Sequence, residues 1–266
     1  MTEDVAILLE WLNANGITEF FNESPFLENN ENEIIETTKK KNFDETIKCL
    51  LDKQNKANVT HIDKLDYIQK SKNICDNLNS IESILSAIQN FDGFTSIKNT
   101  ATNTIFYQGN LESNILIVND FPNEKDDISG KIFSDDVEEL MTKMLKSIEI
   151  DYNNCCFINS FFWRLAGNRI PIREEFELCK PFIEKFISLL NPKLIVFTGN
   201  YSLSSLTNYL NTIVKTHGKF FDYTNEYMYK NVEATSLFGP NFLIKNQTKK
   251  RDAWNDLLMI KEFLNK

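Results

Sequence analysis

"REEFELCKPFIEKFISLLNPKLIVFTG", residues 173–199, changes rhythm part-way along. Residues 173–190 carry apolar side chains at helical spacing. Pro181 interrupts that run and is expected to kink the helix or split it in two, because proline removes a backbone donor and crowds the preceding turn. Residues 193–199, "KLIVFTG", then form a short β-branched strand that stops at a glycine. The same grammar extends in both directions. Strands are expected at 114–120 ("NILIVND"), 155–162 ("CCFINSFF") and 231–238 ("NVEATSLF"). Helices are expected at 135–148, 202–210 and 249–264. Strands that alternate with helices pair in parallel, because right-handed crossovers return each strand beside its predecessor. Ligands of such sheets bind where the strands end. Four loops meet there, at 119–135, 159–172, 199–202 and 238–248.

Before Gly93 the pattern is helical. "VAILLEWL" (5–12) reads as one amphipathic helix, residues 22–42 as a linker, and 61–90 as a second helical stretch. The expected division is a helical N-terminal part, 1–80, and an α/β domain, 81–266. The opening is acidic and lacks the basic start and cleavage site of a secretory signal, and no apolar run approaches the roughly 20 residues that span a bilayer. A cytoplasmic monomer with no membrane contact is expected. Five cysteines, an odd number with no C-x-x-C pair, argue against a disulfide framework and an ordinary zinc site.

The net charge of −9 opposes general affinity for nucleic acid. Its distribution is uneven. Residues 1–80 hold 15 acids and 9 bases, a net of −6, whereas residues 241–266 hold six bases and three acids. A local basic patch can still meet phosphate, and the acidic N-terminal part suits a protein partner.

Asp120 follows the first strand directly, where a carboxylate can position water or stabilise a developing cation; the alternative is a solvated loop acid like Glu124, Asp126 and Asp127. Phe133 either stacks on a base or belongs to the core. Asn159 is a polar residue in a buried strand. Its amide can read the edge of a pyrimidine or bond nearby backbone. Asn168 or Arg169, in the "AGNR" turn, could approach phosphate. Lys245, Lys249, Lys250 and Arg251 begin the last helix at the mouth of the fourth strand end, as a phosphate contact or as a solvated helix start. Neither histidine, His61 nor His217, falls at an expected strand end.

Together these segments resemble the family-4 uracil-DNA glycosylases. "GNRIPIREEFELCKPFIEKFISLLNPKLIVFTG" is similar to that family's "GNR-x-P-x-x-EE…C-x-PFL…L-x-P-x-L-I-V…G" over about 30 residues, and "KRDAWNDLL" resembles its final helix. The resemblance implies a three-layer α/β/α fold around a four-stranded parallel sheet. It also implies base-excision repair, in which uracil is flipped out of DNA and its glycosidic bond is hydrolysed. Single-stranded or uracil-containing DNA is the implied partner. The family's "GE-x-PG" stands here as Asn119-Asp120-Phe121-Pro122-Asn123, which keeps an acid but neither glycine. The stacking Phe is retained as Phe133 and the base-reading Asn as Asn159, with Phe121 also at the base. "HPS" becomes Gly239-Pro240-Asn241, so the histidine is lost, and Asn241 could substitute only from another position. The family's iron–sulfur cluster is held by four cysteines; three of those positions read Phe91, Phe94 and Trp163, and only Cys179 matches. No cluster and no other cofactor is therefore expected. The resemblance leaves three functions open: a weakened uracil-DNA glycosylase, a catalytically inactive relative that binds DNA or protein, or an altered glycosylase that accepts a different deaminated or damaged base.

Overall fold

The computed structural model describes residues 66–207 and 212–265, all within the unit Asn58–Lys266. The expected helix over 5–12 lies outside them.

Six strands form one sheet: β1 (Tyr107–Gly109), β2 (Ile115–Asn119), β3 (Cys156–Asn159), β4 (Leu194–Phe197), β5 (Phe220–Tyr223) and β6 (Val232–Ser236), in the order β1-β3-β2-β4-β6-β5. The central four, β3-β2-β4-β6, run parallel. β2, β3 and β4 are buried along their whole length, as strands covered on both faces must be. β1 and β5 close the two edges in antiparallel fashion. These edges escaped the sequence reading because they are short and only half-buried, so they lack a continuous apolar run.

From residue 81 on, the described helices of six or more residues are α1 (Ile81–Asn90), α2 (Glu124–Ser129), α3 (Asp135–Lys146), α4 (Arg173–Leu190), α5 (Asn200–Leu206), α6 (Pro240–Lys245) and α7 (Lys250–Leu264). The expected stretch 61–90 divides. Residues 66–76 are helical, the chain turns at 77–80, and Ser80 caps α1 through the Ser83 amide. Pro181 does not split α4, which runs unbroken for 18 residues. Pro181 is itself buried, so packing of the helix face holds what local propensity would break. The expected loop 238–248 also contains a helix, α6, with Pro240 in its first turn. Loop 119–135 contains α2, capped by the Asn123 side chain on the amides of Lys125 and Asp126. Asn123 stands where the resembled motif has glycine, so that position now serves a helix start.

Two apolar layers flank the sheet. In one, Phe94 meets Phe91, Trp163 and Phe182 with ring centroids 5.0, 4.6 and 5.8 Å away. In the other, Phe133 meets Phe157 edge-to-face at 5.8 Å. Cys75, from the first helical stretch, is buried in the same core.

Candidate active site at the strand ends

The carboxyl ends of β3, β2, β4 and β6 are tied to one another by short contacts. The Ser160 hydroxyl donates to the Asp120 carbonyl at 2.5 Å, joining the ends of β3 and β2. The Asn119 amide donates to Asn159 Oδ1 at 2.9 Å across the same pair. Asp120 then leans over β4: the Ser202 amide, in the first turn of α5, donates to its Oδ1 at 2.7 Å. A methyl group on Gly199 would lie 1.9 Å from that oxygen. Gly199 is glycine because the Asp120 carboxylate occupies the side-chain space.

Asp120 is therefore not a freely solvated loop acid. Part of it reaches solvent, yet protein atoms ring the carboxylate, and this desolvation raises its pKa to about 6. The hydrogen bonds from Ser202 and Tyr201 act in the opposite direction, and are outweighed. The acid is mostly ionised at neutral pH and poised to exchange a proton just below it. Its loop neighbours have other duties. Asp126 accepts from the Ser134 hydroxyl at 2.6 Å, and Asp127 accepts from the Thr102 and Asn103 amides, both at 2.9 Å. Both are buried and hold the loop down rather than being solvated as expected.

The remaining sequence candidates divide. Phe121, half-buried beside Asp120, joins Tyr201 and Phe176 in an aromatic group; the Tyr201 and Phe176 rings stack at 5.8 Å, 7° from parallel. Tyr201 is 36% exposed, and sequence reasoning missed it. The available signal was an aromatic residue two places after a strand-ending glycine. Asn159 has no exposed surface; its Nδ2 donates to the Ile105 carbonyl at 2.9 Å while its Oδ1 takes the Asn119 bond. Phe133 is equally sealed against Phe157. Arg169 forms two bonds to Glu175, at 2.6 and 2.8 Å, while Glu175 also receives the Ile172 amide at the start of α4. Its guanidinium thus braces a helix start. Lys249 pairs with Asp252 at 2.9 Å. Lys245, Lys250 and Arg251 are exposed and form no ion pair among the described residues, and Asn241 is exposed on the first turn of α6.

His217 stands closer to the fourth strand end than its sequence position suggests. Its ring lies 4.7 Å from that of Phe238, and its Nδ1 meets Asp256 Oδ2 of α7 at 3.0 Å.

The uracil DNA glycosylase superfamily matches residues 106–258, which span β1 to the middle of α7. The chain belongs to this superfamily. It is 29% identical over 168 residues to the type-4 uracil-DNA glycosylase of Thermotoga maritima, an overlap covering 62% of this chain and 85% of that protein. It is 27% identical over 168 residues to the type-4 enzyme of Saccharolobus solfataricus, covering 61% and 77%. The Archaeoglobus fulgidus type-4 enzyme is 25% identical over 171 residues, covering 63% and 85%.

Within that superfamily frame, Gly239 has its own physical explanation. A methyl group there would lie 2.2 Å from the Thr198 carbonyl oxygen, a backbone atom just past the end of β4. No side chain fits while the ends of β4 and β6 stand this close. Gly239→His is therefore expected to destabilise the fold, by roughly 1–3 kcal/mol for overpacking, and to leave uracil release unimproved. A melting curve and a glycosylase assay on the variant check both parts.

The residues at the cluster positions do not fit an iron–sulfur group. Four thiolates are needed, and the rings of Phe91, Phe94 and Trp163 pack against one another where three would stand. Cys179, fully buried, is the one thiol at these positions, three short of the set.

Proposed function

We propose that this superfamily member hydrolyses the glycosidic bond of uracil extruded from DNA, slowly, with Asp120 as the group that carries the chemistry. The supporting observation is the Asp120 carboxylate itself: at a parallel-strand end, desolvated, and aimed by the Ser202 amide across a side-chain-free Gly199. Desolvation strengthens the interaction of an anion with positive charge developing on the sugar, and the amide bond fixes its direction beforehand. In this reading Phe121 and Tyr201 supply the accessible aromatic surface for an unstacked base. Phe133 and Asn159 have no exposed surface, so in this reading a base reaches them only after the packing around them opens.

Two features make turnover slow. No imidazole occupies the Gly239 position to stabilise charge on the departing base, and one such stabiliser is worth about 3 kcal/mol, or 10²–10³ in rate. Opening the sealed Asn159 also means breaking its bonds to Asn119 or Ile105. We further propose that the protein works without an iron–sulfur cluster, its place being taken by aromatic packing.

The test is single-turnover release of uracil from a single-stranded oligonucleotide, with protein in excess, between pH 5 and pH 8. Release is expected to rise with pH through about 6, because an acid whose pKa is raised to about 6 is ionised only above it. No release at any pH from folded protein would reject catalysis.

A second reading is a DNA- or protein-binding module without turnover. The burial of Asn159 favours it: the side chain has no exposed surface and each end already holds one bond inside the protein, so its second N–H and second lone pair meet no base in this arrangement. For DNA contact under either reading, Lys250→Ala and Arg251→Ala are each expected to weaken retention on single-stranded DNA. Each should also lower the steepness of its salt dependence by about 0.7. Binding titrations at several salt concentrations measure that slope.

A further inference from the structure

A cavity of about 360 Å³ lies away from the strand ends, between α4, the end of α5 and β5. None of the residues that join the four strand ends lines it. Its apolar wall includes Pro181, Leu206 and Phe221, and Glu184 of α4 stands in the same wall. The Glu184 side chain is 9% exposed, and no hydrogen bond reaches its carboxylate among the described residues. Its nearest cation is Lys180 Nζ at 3.9 Å, beyond hydrogen-bond reach. The charged groups that act on this carboxylate are Lys180, Glu226, Lys72 and Glu177, and all four line the cavity. The carboxylate therefore faces the cavity space.

The charge of that lining is negative. Glu177, Glu184, Asp222 and Glu226 oppose Lys72 and Lys180, a net of −2 when all are ionised. Lys72 is engaged at the rim by Glu226, 3.3 Å away. A buried carboxylate without a donor is costly to leave so, and the nearest cationic donor of the lining, Lys180, stops 3.9 Å short of it.

We propose that this cavity binds an alkylammonium group, its charged head on Glu184 and its methylene stem against Pro181, Leu206 and Phe221. A lysine side chain and a short diamine both carry such a head and stem. The site is independent of the glycosylase reading and would stand if that reading failed. It also has an internal competitor. Lys180 is a like charge beside the proposed head group, so it weakens binding of a cation.

Calorimetric titration with cadaverine, and separately with N-acetyl-lysine methylamide, tests the site in the full-length protein. Saturable binding is expected. Glu184→Gln keeps the side-chain shape and should weaken it at least tenfold, with the melting curve reporting that the variant is folded. Lys180→Met should tighten it. Burial raises the Glu184 pKa to about 7, against Lys180 and Lys72 and assisted by Glu226 and Glu177. Binding should therefore be about tenfold weaker at pH 6 than at pH 8, following the ionised fraction. Tighter binding of cadaverine would assign the site to free amines, and tighter binding of the lysine amide to a lysine of another protein; both support the proposal. Equal affinity in folded Glu184→Gln, loss of binding in Lys180→Met, or absence of saturable binding would overturn it.

Discussion

Asp120→Asn is expected to lower single-turnover uracil release by about 10²–10³-fold, with the fold retained. The amide of asparagine fills the same space above Gly199 and can still accept the Ser202 amide at its oxygen. It carries no negative charge, so it can neither take a proton from water nor stabilise a cation on the sugar. The pH profile adds a second criterion. The rise through about 6 in the wild-type protein belongs to Asp120 and should vanish from any residual activity of the variant. Stability should move slightly the other way. A carboxylate whose pKa is raised in the fold is a cost at neutral pH that disappears as the solution is acidified below about 6. Asp120→Asn should thus be as stable as the wild-type protein at pH 7, or more so, as read from melting curves. Unchanged release in the variant would remove Asp120 from the chemistry and leave it as the cap of α5.

Phe94→Ala is expected to cost about 3–5 kcal/mol of stability, a lowering of the melting temperature by roughly 6–20 °C. Phe94 has no exposed surface and touches Phe91, Phe162, Trp163 and Phe182 through its ring. Truncation would leave a cavity among side chains that α1, α4 and the β3 loop hold in place, with little room to collapse. The same residues make a second expectation. If aromatic packing does the structural work of an iron–sulfur cluster, purified wild-type protein should contain no iron, show no visible absorbance, and melt at the same temperature with and without a chelator. Iron at about four atoms per chain would overturn that reading. A chelator-sensitive melting temperature would do the same.

Much of this architecture was legible in the sequence, for definite reasons. β2, β3 and β4 are apolar runs that end in polar or small residues, β6 is a shorter mixed stretch, and each is separated from the next by at least one helix. That pattern dictates a parallel core, because only crossovers can bury both faces of such strands. The placement of Asp120 and Gly239 at strand ends follows from the same pattern. Gly239 in the place of a motif histidine is instead a reading from the family resemblance, which no pattern of strands and helices supplies. The local signals misled where burial outvoted them. Pro181 stays within a continuous α4 because its helix face is packed. Asp126 and Asp127, which read as solvated acids, are buried bonds of the loop.

What only the tertiary structure decided is how the strand ends fill one another's space. Spacing along the chain puts Asp120 next to a strand. It takes β4 alongside β2 to place that carboxylate where a Gly199 side chain would be, and β6 alongside β4 to close the Gly239 position against the Thr198 carbonyl. Asn159 likewise has the same chemistry in any sequence, yet its two bonds go to Asn119 and Ile105, 40 and 54 positions away. Residue type specifies which bonds a group is able to make. Close packing between distant segments, at separations near van der Waals contact, specifies which of them it does make.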